Sequence, residues 1–293
     1  MSIKRSPLFI THLASKDRAG GTDEVICDLC PNSCNIEDGY FGICGVRGNK
    51  RGKGIIPYYG FITALVNDPI EKKPLYHFKP GTRVISLGFA GCNLRCPFCQ
   101  NWHISQNTNV PGVWMKPGEV ISAALKDNFP SIAYTFSEPL VHAEFVLDCM
   151  ELSHKHGIAN VLVTNGCVNP KAAEEILKLT DAANIDLKTI SPDTYQKTLG
   201  GNLKTVQDFI KLGFRMGVHI EITTLVVPGL NDSDDELNAI VRFIADLSDE
   251  IPLHLTAYRP EYRWNAPPTN PDFLKNAAKE ARKILHHVHT GNI

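Results

Sequence analysis

Three cysteines, Cys92, Cys96 and Cys99, fall within GFAGCNLRCPFCQNWH at residues 88–103. Thiolates grouped this tightly bind soft metals, and four of them normally hold a [4Fe–4S] cube. Three local ligands with no fourth nearby leave one iron open, and an open position lets a metal centre bind a reactant. A three-cysteine zinc site is the competing metal reading. The spacing i, i+4, i+7 would also suit a helical stripe of buried cysteines. Gly91 before the first cysteine and Pro97 directly after the second oppose that, because glycine marks a turn and a residue preceding proline is pushed out of the helical region. The segment is expected to be a loop that bends three thiolates around a compact cluster.

A second group, Cys27, Cys30, Cys34 and Cys44, has the pattern Cys-x2-Cys-x3-Cys-x9-Cys, interleaved with Gly39, Gly42 and Gly45. Such a set can close a zinc knuckle, hold an auxiliary iron–sulfur cluster or remain as free thiols, and the sequence leaves all three open. Cys149 and Cys167 stand alone; Cys149 reads as a small buried apolar residue on an amphipathic helix. The cysteine count of nine is odd, and the start MSIKRSPLFITHLASK has no signal-peptide core. Metal ligands in a reducing, cytoplasmic compartment are therefore expected, not a disulfide framework.

The 30 Lys+Arg against 31 Asp+Glu give a net charge of -1, which exerts no long-range pull on nucleic acid or an anionic membrane. No apolar run approaches the roughly 20 residues of a membrane-spanning helix. Neither partner is expected.

The elements that must position these residues follow from hydrophobic periodicity. Residues 1–21 read as a poorly ordered lead-in, and 22–56 as a small Cys-rich metal-binding unit. From about residue 80 to 290, strand candidates at 83–89, 132–136, 159–164, 182–187, 218–226 and 252–257 alternate with helix candidates near 117–127, 139–156, 170–179, 203–215, 234–247 and 271–287. Ser233-Asp234-Asp235-Glu236 has capping-box spacing. The alternation predicts an α/β protein with right-handed βαβ units and a parallel sheet. Three strands have one polar face: Asn184, Asp186 and Lys188; His219, Glu221 and Thr223; His254, Thr256 and Tyr258. Side chains alternate faces with period 2, and a parallel barrel is ordinarily filled by branched apolar residues. A polar lumen implies a cavity for a polar ligand.

The Cys-x3-Cys-x2-Cys motif with Phe98 before its last cysteine resembles the signature of the radical S-adenosylmethionine (SAM) superfamily. With DPIEKKPLYHFKPGT, TFSEP, VTNG, IDLK, VVPGLNDS and HTGNI, the chain resembles the pyruvate formate-lyase activating enzyme-like branch, specifically the AmmeMemoRadiSam system radical SAM enzymes. The resemblance runs from Cys27 to the last residue. It implies a partial (β/α)6 TIM-type barrel in which Cys92, Cys96 and Cys99 ligate a [4Fe–4S] cluster. SAM would bind the open iron and be cleaved to methionine and a 5′-deoxyadenosyl radical that abstracts hydrogen from a substrate. Ferredoxin or flavodoxin would be the electron donor, and a protein a candidate substrate. Ser137 and Glu138 stand where relatives carry Gly-Gly-Glu-Pro facing the SAM ammonium, with Phe136 and Ser137 replacing the glycines. A plain helix start, with Ser137 as cap, explains them equally well. Asp186 and Lys188 match an Asp-x-Lys element whose lysine meets the SAM carboxylate. Thr164 and Asn165 are expected at the barrel mouth, and Glu221 and His254 among the SAM contacts. Asn101 and Trp102 are expected to shield the cluster. Two other functions stay open: activation of a glycyl radical enzyme, and a non-enzymatic iron–sulfur electron carrier.

Overall fold

The computed structural model describes residues 7–12 and 24–293. Most of the lead-in expected at residues 1–21 lies outside the described residues; its described part ends in a strand, β1 (Ile10–His12). This strand pairs antiparallel with β2 (Val25–Cys27), which pairs with β3 (Cys34–Ile36). A hairpin of β4 (Gly48–Lys50) and β5 (Lys53–Ile55) follows. Then come β6 (Phe61–Ile62), β7 (Ala64–Pro69) and β8 (Arg83–Gly88). Helix α1 (Trp102–Ser105) and β9 (Val113–Trp114) lead into the regular alternation: α2 (Pro117–Lys126), β10 (Ser131–Thr135), α3 (Ala143–Lys155), β11 (Ala159–Thr164), α4 (Pro170–Leu177) and β12 (Ala182–Asp186). It continues through α5 (Pro192–Lys197), α6 (Leu203–Arg215), β13 (His219–Val226), α7 (Asp234–Ala245), β14 (Leu253–Ala257), α8 (Pro271–Ala281) and β15 (Val288–Gly291).

One eight-stranded sheet runs β15-β14-β13-β12-β11-β10-β8-β7. All neighbours are parallel except β7, which is antiparallel to β8. The two end strands do not pair with each other, so the curled sheet is a partial barrel. The six expected strands are β8 and β10–β14, each within one residue of its expected bounds. Two more flank them. The last helix stops at Ala281, short of the expected 287, a turn follows, and the polar stretch Val288–Gly291 adds a parallel strand. β7 precedes residue 80, where the barrel was expected to begin, yet it pairs with β8 along its whole length.

Local chemistry sets the helix starts. Pro117, Pro170, Pro192 and Pro271 occupy first turns, where a missing N–H costs nothing. Asn202 and Asn270 cap α6 and α8. Ser233 accepts from the Glu236 amide as the spacing predicts, but Glu236 does not complete a capping box. Its carboxylate instead accepts from Thr189 and the Ile190 amide, tying α7 to the loop after β12.

The period-2 reading holds. Ile185, Ile220, Ile222, Leu253 and Leu255 lie in the main core between sheet and helices. The lumen, however, is not open along its length. The segment after β7 folds into the lower barrel, where Ile70 and Leu75 pack with Val84, Ala133, Val161 and Ala182 in a separate apolar cluster. Polar lumen groups meet this plug. Asn184 donates to the Pro74 carbonyl at 2.8 Å, and Glu221 accepts from the Tyr76 and His77 amides at 3.0 and 2.8 Å. Glu221 also pairs with His254 at 2.6 Å and His219 at 3.0 Å. His77 Nε2 lies 2.9 Å from His289 Nε2 on β15, fastening the plug to the far end of the sheet.

Candidate functional site

Above the plug, at the C-terminal ends of the strands, lies a cavity of about 320 Å³. This is the end of a barrel where ligand sites sit. The loop between β8 and α1 carries Cys92, Cys96 and Cys99, and all three line the cavity. The loop is not helical across the cysteines. Gly91 has φ +81°, and a Cβ there would lie 2.4 Å from the Cys44 carbonyl oxygen, so both conformation and space require glycine. Arg95 anchors the loop, its amide donating to the Leu199 carbonyl at 2.7 Å and its guanidinium to the Cys92 carbonyl at 2.8 Å. Cys92 Sγ accepts from the Leu94 amide at 3.3 Å, and Cys99 Sγ lies 3.2 Å from Ser105 Oγ. Burial pushes the Cys96 thiol up to about 11, against the nearby Lys188 ammonium. A bound cation would reverse that balance by deprotonating its ligands.

Opposite the loop, Ser137, Glu138, Thr164, Asn165, Asp186 and Lys188 all line the same cavity. Glu138 is 1% exposed. One of its oxygens accepts from Thr164 at 2.7 Å and the Leu140 amide at 3.0 Å, the other from the Asn165 amide at 2.8 Å. Burial still prevails over these bonds and pushes its carboxyl up to about 7. Glu138, not Ser137, caps the short 3-10 helix Pro139–His142, while Ser137 donates to the Phe89 carbonyl at 2.7 Å. Cap and cavity wall are thus one residue. Asn165 donates to Asn93 at 2.9 Å, linking the end of β11 to the cysteine loop. Lys188 Nζ lies 2.8 Å from Asp186. Burial works against its charge, but Asp186 outweighs it and the pKa is raised.

Phe136 has φ +72°, a conformation that costs a non-glycine residue about 1–3 kcal/mol. Its carbonyl accepts from Asn101 at 2.6 Å, and Lys73 Nζ sits 4.5 Å from its ring centre. The hydroxyl of Thr223 is buried in the cavity wall without a hydrogen-bond partner. An orphaned hydroxyl, a paired lysine and a buried carboxylate beside three thiols fit a zwitterionic ligand next to a thiolate-held cluster.

Of the nine lumen residues expected to form the cavity, Asp186, Lys188, Thr223 and Thr256 do so. Tyr258, one residue past the end of β14, is buried in the main core instead, and Asn184 and His219 are engaged by the Pro74 carbonyl and by Glu221. Glu221 and His254 do not line it either. Both sit near the starts of their strands, one layer below the cavity, with their polar atoms engaged by each other and the plug. Alternation fixes the face of a residue and says nothing of its depth along the barrel. Asn101 lines the cavity as expected, whereas Trp102 does not; it stacks on Tyr262 with ring centres 5.2 Å apart. Lys72, Lys73 and Asn292 line the cavity without having been singled out from the sequence. The quoted DPIEKKPLYHFKPGT stretch contains the two lysines and is the plug itself. Cys149 is fully buried as expected, and Cys167 is also buried.

The radical SAM superfamily pattern matches residues 87–244. An uncharacterised protein of Methanocaldococcus jannaschii is 39% identical over 276 residues, which cover 92% of this chain and 82% of that protein. The pyruvate formate-lyase 1-activating enzyme of Escherichia coli K12 is 29% identical over 196 residues, covering 64% of this chain and 79% of the enzyme. Streptococcus suis SuiB bound to precursor peptide SuiA matches in fold with a TM-score of 0.54 at 15% identity, over 71% of this chain and 47% of that one. No helix among the described residues is long and apolar enough to cross a membrane. With three cavity-facing cysteines on the loop after the first parallel strand, the chain belongs to the radical SAM superfamily, in its pyruvate formate-lyase activating enzyme-like branch.

Proposed function

We propose that the chain is a radical SAM enzyme that holds a [4Fe–4S] cluster on Cys92, Cys96 and Cys99 and binds SAM in the adjoining cavity. The observation that carries this reading is the convergence of three thiols, Glu138 and the Asp186–Lys188 pair on one cavity. When bound, cluster and SAM supply reductive cleavage of SAM to a 5′-deoxyadenosyl radical for hydrogen abstraction. The protein's own share is binding and orientation. Lys188 offers an ammonium to the SAM carboxylate, Glu138 a carboxylate to the SAM ammonium, and Thr223 a free hydroxyl. Thr164 and Asn165 hold Glu138 in place, and the plug closes the lower lumen to bulk water.

A protein or peptide substrate, and within it activation of a glycyl radical enzyme, is supported by the activating-enzyme relative and the peptide-bound neighbour. The electron would come from a low-potential carrier such as ferredoxin or flavodoxin. The electron-carrier alternative is disfavoured because a carrier gains nothing from a missing fourth ligand or a polar cavity beside its cluster.

SAM binding tests the site. Lys188→Ala should weaken SAM affinity by roughly ten-fold or more, since a charge-assisted hydrogen bond contributes about 1.5–3 kcal/mol. Iron content should stay at the wild-type level. Unchanged affinity, measured by equilibrium dialysis on anaerobic protein, would remove Lys188 from the site, and no SAM binding by iron-loaded wild type would remove the proposal.

A further inference from the structure

We propose that Cys27, Cys30, Cys34 and Cys44 hold a second iron–sulfur cluster, packed against the loop of the first. This goes beyond the SAM chemistry and does not depend on it. Two of the four sulfurs accept hydrogen bonds from N–H donors. Arg47 Nε donates to Cys27 at 3.3 Å, and the Ile43 amide to Cys34 at 3.4 Å. Donors aimed at sulfur suit thiolates, because a neutral thiol in the same place would have its own proton to dispose of. Hydrogen bonds to the sulfurs are also how proteins tune metal–thiolate centres.

The surroundings are rigid. Arg47 is 1% exposed and pairs in bidentate fashion with Glu144 on α3, at 2.7 and 2.8 Å. A Cβ on Gly42 would stand 3.2 Å from Cys34 Sγ, so the turn is built around that sulfur.

Spacing selects the kind of metal. Zinc–sulfur bonds of about 2.3 Å put tetrahedral sulfurs about 3.8 Å apart. Among the described residues, no three of these four sulfurs lie within 4.8 Å of one another, and neither do those of Cys92, Cys96 and Cys99. The wider spacing suits a cluster, whose irons and sulfides separate the thiolates. The two loops touch directly. Asn32 donates to the Asn93 carbonyl at 3.0 Å, and the Arg95 guanidinium donates to the Ile43 carbonyl.

The test counts iron, zinc and acid-labile sulfide per chain in anaerobically reconstituted protein. A variant carrying Cys92→Ala, Cys96→Ala and Cys99→Ala should retain at least about two irons with matching sulfide. A variant with Cys30→Ala and Cys44→Ala should lose those and keep about four irons at the other site. One zinc without sulfide in the triple variant, or no metal in the folded protein, would overturn the proposal. Should the triple variant not fold, the wild type decides: more than about four irons per chain supports a second cluster, and about four irons plus one zinc excludes it. If the triple variant keeps all of its iron and the double variant loses all of it, the second cluster stands and the central one does not.

Discussion

Cys96→Ala should strip about four irons from the reconstituted protein and abolish SAM cleavage, the largest effect of any single substitution considered. Cys96 is the middle one of the three proposed ligands, so its loss would leave two thiols for a group that needs three from this loop. Its side chain is buried beside Leu94 and Phe98 in the core, and alanine preserves the apolar surroundings. The variant should therefore fold, and its unfolding midpoint should stay close to that of the apo wild type. Iron and sulfide analysis checks the outcome. An unchanged iron content at the central site would show that the cluster is held elsewhere.

The second large effect concerns stability, not chemistry. Glu221→Ala should destabilise the protein by about 2–4 kcal/mol, because it leaves the Tyr76 and His77 amides unpaired and unfastens the plug. The urea midpoint reads this directly. Iron loading should be retained, since Glu221 lies outside the cavity. Burial alone would raise the Glu221 carboxyl, but hydrogen bonds from His219, His254 and the two amides outweigh it and hold the group below the usual carboxylate range. A depressed folded-state value means that the stabilisation is present above the unfolded value of about 4.3 and is lost as the pH falls below it. Wild type should therefore lose stability in acid faster than Glu221→Ala. Parallel pH profiles for the two proteins would contradict the role assigned to this carboxylate.

The sequence shows the repeating part of the fold clearly because each strand and helix carries its own periodicity. The six central strands, the loop conformation at Cys92–Cys99 and the inward phase of Asp186 and Lys188 all follow from local patterns. The edges are less legible. Residues 64–69, ALVNDP, carry an asparagine, an aspartate and a proline in a strand paired on one side only, and Val288–Gly291 is too polar to stand out. The plug is invisible to periodicity, because a segment folded into a lumen has no repeating face. Without it, Glu221 and His254 read as ligand contacts, whereas Glu221 holds the amides of residues 76 and 77 and His254 holds Glu221. The same absence hid Lys72 and Lys73, which reach the cavity only because the plug carries them there.

The claim that most needs testing is that the open cluster cleaves SAM. Anaerobically reconstituted protein, reduced with dithionite and saturated with SAM, should release 5′-deoxyadenosine and methionine in equal amounts, slowly in the absence of substrate. The measurement is product analysis by liquid chromatography, with the cluster's reduction verified by electron paramagnetic resonance in the same sample. Equal release of both products supports radical SAM chemistry at Cys92, Cys96 and Cys99, whereas a fully reduced cluster with SAM bound and neither product formed would contradict it.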